Sequence, residues 1–150
     1  MPEDLNVPKG IPTTEKAVLQ PQDLQKLFST DNTLWRGKPA VEPYVAAWRF
    51  QVLTGLRTGE LFGLQWTDIK DGYVYLQRSI NKFNEITKGK NENAIRAFKL
   101  TKAAQEIIDN QPRTDKYVFP VKSGTHYKDC LASQFHMECN EYFLFCLIYL

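Results

Sequence analysis

Thr54-Gly55-Leu56-Arg57-Thr58-Gly59-Glu60-Leu61-Phe62-Gly63-Leu64-Gln65-Trp66-Thr67-Asp68-Ile69 is the stretch on which the fold turns. Upstream of it, Val41, Val45, Trp48 and Val52 recur at helical spacing and Phe50 and Leu53 widen the apolar face, which predicts a buried helix over 41–53. Gly55 ends that helix, and Thr58 is placed to cap a second, short helix over Gly59–Leu64. Arg57 therefore falls in a tight corner beside a helix start. Free N–H groups and a planar guanidinium there suit the capture of an anion with two oxygens, such as a phosphodiester. The plainer alternative is a surface salt bridge between Arg57 and Glu60 at i,i+3.

Working outward, residues 1–18 combine Pro2, Pro8, Gly10 and Pro12 with scattered charges and read as an extended linker. Pro21 opens a short helix over Pro21–Phe28, with Leu24, Leu27 and Phe28 on one face, and Ser29–Pro39 reads as turn-rich loop. Beyond the central stretch, Asp71-Gly72 signals a turn and Tyr73–Ile80 is rich in β-formers, which predicts a strand. The polar run Asn81–Asn93 is a long hairpin connection. Ile95–Leu100 returns antiparallel, with Ile95, Ala97 and Leu100 expected on the apolar face and Arg96 and Lys99 on the polar one. Thr101 caps a helix from Lys102 to about Asn110 that Pro112 stops, and Tyr117-Val118-Phe119 has the composition of a short buried strand.

With 150 residues, 43% hydrophobic and 24% charged, the composition is that of an ordinary globular domain and excludes collagen-like, disordered and membrane-spanning classes. The net charge of +2 hides an asymmetry: Lys70–Lys102 holds eight basic and three acidic residues, a local +5, which leaves −3 for the remainder. A basic segment in a mildly acidic chain fits a polyanion-facing surface. Three cysteines, Cys130, Cys139 and Cys146, form neither a CxxC pair nor a disulfide framework, and the acidic start lacks a secretory signal, so a cytoplasmic setting is expected.

The stretch 54–69 resembles the first active-site box of the tyrosine recombinases, the phage integrase family. Leu19-Gln-Pro-Gln-Asp-Leu24 is similar to the segment that opens the catalytic domain there, and the resemblance covers roughly residues 18–120. It implies an α+β fold of the DNA breaking-rejoining type, a mainly helical catalytic core with a small antiparallel β-sheet from about 73 to 100. It also implies a β-hairpin that delivers a catalytic lysine in a pattern like Lys-Thr-x-x-Ser-x-Arg-x-Ile-Pro-Leu. Lys90-Asn-Glu-Asn-Ala-Ile-Arg96-Ala-Phe-Lys-Leu100 keeps that spacing and departs from it at Asn91, Ala94 and Lys99, with Lys88 the alternative lysine.

What the resemblance implies chemically is attack on a DNA phosphodiester by a tyrosine hydroxyl, giving a phosphotyrosine link that needs neither ATP nor metal; no cofactor is expected. Arg57 would clamp the phosphate and Lys90 would protonate the leaving 5′-oxygen, while Arg57, Lys88, Lys90 and Arg96 would face double-stranded DNA. Family members assemble as oligomers on DNA.

The family's His-x-x-Arg box, the following His or Trp and the nucleophilic tyrosine have no counterpart in this sequence. His136-Met-Glu-Cys139 has Cys where arginine would stand, and Tyr142 and Tyr149 lie in an uninterrupted apolar run of nine residues, Tyr142–Leu150, far short of the roughly 20 needed to cross a bilayer. The expected organisation is thus linker 1–18, partial catalytic domain 19–125, and an atypical apolar tail 126–150 that follows truncation or a frame shift, leaving the fold incomplete at the C-terminus and the chain inactive alone. His126, Cys130, His136 and Cys139 match no standard zinc spacing, and NTPase, metalloprotease and hydrolase motifs are missing. The rival readings are a non-catalytic DNA-binding remnant and a helical protein-interaction module.

Overall fold

The computed structural model describes residues 20–35, 38–81, 83, 85–87 and 95–120; the Lys88 and Lys90 positions, the 126–139 cluster and the apolar tail lie outside them. The described residues form a mixed α+β arrangement of four α-helices and small antiparallel sheets. Helix α1 (Pro21–Ser29) starts at a proline whose missing N–H is no loss in a first turn, and the Asp23 carboxylate accepts the Gln20 N–H at 3.1 Å. Its last carbonyls are covered from outside. Arg49 donates to the Leu27 carbonyl (2.7 Å) and the Thr30 carbonyl (3.0 Å) and pairs with Asp31 at 2.7 Å.

Where a loop was expected, β1 (Asn32–Trp35) and β2 (Lys38–Val41) make a hairpin in which Leu34 pairs with Pro39. A two-stranded ladder leaves half of its N–H groups facing outward, so a proline is tolerated in it. This hairpin also shortens the next helix. α2 runs Val45–Thr54 instead of starting at 41, because Val41 ends β2 and Pro43 keeps the residue before it out of helical conformation. Val41 is accordingly 69% exposed, whereas Ala47, Trp48, Phe50 and Gln51 are buried.

Gly55 takes the left-handed conformation (φ 66°) and its N–H bonds the Gln51 carbonyl at 2.8 Å, ending α2 as the sequence predicts. Helix α3 (Thr58–Gly63) follows at once, then a short 3₁₀ turn (Trp66–Asp68) and β3 (Ile69–Lys70). Asp71 and Gly72, both at positive φ, turn the chain into β4 (Tyr73–Leu76). The predicted strand 73–80 is in fact two pieces broken at Gln77-Arg78: β5 (Ser79–Ile80) leaves the sheet and pairs with β6 (Ile86–Thr87). The return strand β7 (Arg96–Lys99) closes a three-stranded antiparallel sheet in the order β3-β4-β7. Thr101 then caps α4 (Lys102–Asp109), its hydroxyl accepting the Ala104 N–H at 3.3 Å.

The core lies between the helices and one face of the sheet. Phe62 of α3 meets Trp48 edge-on at 5.8 Å and Tyr44 at 6.1 Å, while Phe50 packs on Phe119 at 5.4 Å. Leu56, Leu61, Leu64, Val74, Leu76, Ala104, Ile108 and Val118 complete it. Tyr117 is joined to Gln65 by an isolated antiparallel bridge, and the Val118 N–H bonds the Leu64 carbonyl at 3.0 Å, so the predicted 117–119 strand is reduced to one bridging residue with buried neighbours. Among the described residues no helix is long and apolar enough to cross a membrane.

Candidate active site

The corner at Arg57 is held from beneath. Gln51, buried in α2, donates to the Leu56 carbonyl at 2.9 Å and to the Thr58 hydroxyl at 3.3 Å, so Leu56 points into the core and Arg57 faces outward. Thr58 is therefore the first residue of α3, not its cap. The capping work falls to Glu60, whose carboxylate reaches back to accept the Arg57 N–H at 2.9 Å. Arg57 itself is exposed, and among the described residues no acid pairs with its guanidinium.

The salt bridge that the sequence offered between Arg57 and Glu60 is replaced by a different one. Glu60, 4% exposed, is gripped side-on by Arg96 of β7, Nη1 to Oε1 at 3.1 Å and Nη2 to Oε2 at 2.9 Å. This reverses the expected facing of Ile95, Arg96 and Ala97, while Lys99 is exposed and Leu100 buried as expected. Arg96 is paired across the ladder with the buried Leu76 and Phe98 with the buried Val74, whereas Ile95 (65% exposed) and Ala97 lie outward. The inward position is taken by a guanidinium because a buried carboxylate awaits it there.

A second acid in the same stretch behaves alike. Asp68, also buried, accepts the Gln65 N–H at 2.9 Å and pairs with Arg78, which lies just past β4. Between these two grips α3 lies against β5. A Cβ on Gly59 would stand 2.4 Å from the Ser79 hydroxyl and 2.5 Å from the Ile80 carbonyl oxygen, so only glycine allows this approach.

The stretch 54–69 is thus a corner that presents one outward arginine, braced by Gln51, Glu60 and a strand seated on Gly59. Comparison with protein-family profiles matches residues 17–139 to the phage integrase family. The chain belongs to the phage integrase family. No curated protein and no solved structure matches it.

Of the four site residues named from sequence, Arg57 and Arg96 are brought to the same carboxylate, one by its backbone N–H and the other by its guanidinium. Arg96 is consequently a structural partner of Glu60 in this arrangement, with a side chain still 41% exposed. Lys88 and Lys90 fall outside the described residues. Sequence reasoning missed Glu60, Asp68 and Gln51 as members of the site. The signal for the two acids was their placement three residues after Arg57 and Gln65, the offset from which a carboxylate can reach back to a helix-start N–H. Among the described residues no cluster of His, Cys, Asp and Glu could hold a metal ion.

Proposed function

We propose that this integrase-family chain supplies the first half of a tyrosine recombinase active site, acting in site-specific DNA recombination through a phosphotyrosine intermediate. Membership of the family supports the reaction class. The observation that supports the residue assignment is the outward guanidinium of Arg57, which pairs with no acid among the described residues, on a corner fixed by three internal hydrogen bonds, from Gln51 to Leu56 and Thr58 and from Arg57 to Glu60. A guanidinium without a carboxylate partner keeps its fork available for two non-bridging phosphate oxygens, where charge grows in the transition state. Lys90, with Lys88 as the alternative, would donate the proton that the 5′-oxygen takes as it leaves.

The tyrosine nucleophile, the second arginine and the assisting histidine have no recognisable counterpart in residues 1–150. We accordingly expect these residues to bind duplex DNA and to leave it uncut until the remaining groups are provided, in a cytoplasmic setting and as part of an assembly on DNA. The test is incubation with a nicked duplex followed by denaturing electrophoresis. The expected result is no covalent protein–DNA species from the 150 residues, and an adduct that depends on Arg57 when they are joined to a segment carrying the missing box. An adduct from the 150 residues alone would overturn this division of the site, and an adduct that survives Arg57→Ala would remove Arg57 from it.

A further inference from the structure

The connection that carries Lys88 and Lys90 leaves the sheet after β4 and re-enters it at β7. Both of its feet are held by buried carboxylates of one short unit. At the exit, Arg96 is locked on Glu60. At the entry, Arg78 is locked on Asp68, with only 18% and 3% of the two side chains exposed. Asp68 is fixed in turn by the Gln65 N–H at 2.9 Å. Directly after Arg78 the chain lies on α3: the Arg78 carbonyl and the Ile80 N–H are 3.5 Å from a Cβ built on Gly63, and Ser79 and Ile80 press on Gly59.

From this arrangement we infer that Asp68 and Arg78 are a positioning pair, which fixes the entry of the lysine-bearing connection relative to the corner that presents Arg57. The inference rests on the recombinase reading for its purpose, though not for its geometry. Buried ion pairs are weak contributors to net stability, since desolvation offsets most of the attraction, so a pair kept at this place is better explained by where it puts the chain. The distance that matters is that between the phosphate clamp and the proton donor. In a reaction that depends on near-attack geometry, a misplacement of about 1 Å can cost on the order of 100-fold in rate. Because β6 pairs with β5, the seat of Ser79 and Ile80 on α3 also sets Ile86 and Thr87, the residues that directly precede Lys88 in sequence.

The test compares the 150-residue chain with Arg78→Ala and Arg78→Lys by two readouts. In amide hydrogen exchange, Arg78→Ala is expected to speed exchange in Ser79, Ile80, Ile86 and Thr87 by about ten-fold or more while α4 stays protected, and Arg78→Lys is expected to restore part of that protection. In duplex binding followed against salt, the Lys88→Ala/Lys90→Ala pair should flatten the slope by about 0.9 per lost phosphate contact in the wild type, and by much less on the Arg78→Ala background. Exchange that rises equally in α4, or that stays unchanged at 79–87, would overturn the inference. So would a lysine effect of the same size on both backgrounds. A wild-type chain that binds no duplex overturns the recombinase reading instead, and the entry clamp is then judged by exchange alone.

Discussion

Glu60 and Arg96 are joined oxygen to nitrogen twice, at 3.1 and 2.9 Å, across 36 residues of sequence. Because the same carboxylate also receives the Arg57 N–H, the residue that returns the hairpin to the sheet and the residue that turns its guanidinium outward share one anchor. A shift of α3 therefore cannot move the Arg57 corner without pulling on β7. The pair is half in water on the arginine side and buried on the acid side, with side-chain exposures of 41% and 5%.

That asymmetry predicts unequal mutants. Arg96→Ala strands a buried carboxylate whose remaining partner among the described residues is the Arg57 N–H, and should destabilise the fold by about 1–3 kcal/mol, less than for a fully buried pair because Arg96 is partly solvated. Arg96→Lys keeps the charge but cannot span both oxygens, and it should recover roughly half of the loss. Urea unfolding measures both. Equal midpoints for Arg96→Ala and wild type would mean that Glu60 is satisfied without Arg96.

The glycines of α3 make a second contrast. Gly59→Ala places a methyl 2.4 Å from the Ser79 hydroxyl and 2.5 Å from the Ile80 carbonyl oxygen. A side chain could turn away, but the backbone carbonyl cannot, so β5 must lift off α3 at an overpacking cost of about 1–3 kcal/mol. Gly63→Ala meets atoms no nearer than 3.5 Å and should be tolerated. Thermal melting of the two variants, read together, checks the close approach: similar melting temperatures would rule it out.

How far the sequence foretold this arrangement depends on how local each cause is. The end of α2 at Gly55, the Asp71-Gly72 turn, the Thr101 cap and the antiparallel return of β7 are each decided by residues within a few positions, and all were legible. The 32–41 hairpin was not, because Pro39 and the surrounding turn-formers read as loop until the pairing partner is known. The facing of β7 was misread for the opposite reason. Charged Arg96 looked like an outward residue, and only the fold reveals Glu60 waiting on the inner side. The same applies to Asp68, whose partner lies 10 residues away. Family resemblance supplied what periodicity could not: the expectation that the corner and the later basic segment serve one site.

Glu42 gives a pH dependence with a definite sign. Its carboxyl is buried beside α2, and burial pushes it up from the ordinary glutamate range, against the hydrogen bond from the Tyr44 N–H (3.0 Å) and the nearby Trp48 indole that pull it down. A carboxyl raised in the folded state binds its proton more tightly there than in the unfolded chain. Its stabilising share is thus fully present below the unfolded value of 4.5 and is lost as pH rises through the folded one. Glu42→Gln keeps an acceptor for the Tyr44 N–H and cannot ionise. The variant should gain stability over wild type at about pH 8 relative to about pH 4. Urea unfolding at the two pH values checks this, and a constant difference between the proteins would show that Glu42 does not titrate with folding.

The identity of the proton donor is the sharpest chemical prediction. With the chain joined to a segment supplying the second arginine and the tyrosine, Lys90→Ala should slow cleavage by about 100-fold or more, the usual range for losing a positioned general acid, while Lys88→Ala should cost only a phosphate contact. A substrate whose bridging 5′-oxygen is replaced by sulfur separates the roles further, since a thiolate leaves without protonation. On that substrate the Lys90→Ala defect should largely disappear, whereas an Arg57→Ala defect should persist, because the non-bridging charge that a phosphate clamp at Arg57 would meet is still there. Cleavage that survives Lys90→Ala and dies with Lys88→Ala would move the donor by two residues. A sulfur substrate that rescues neither variant would make the lysine a phosphate ligand and not an acid.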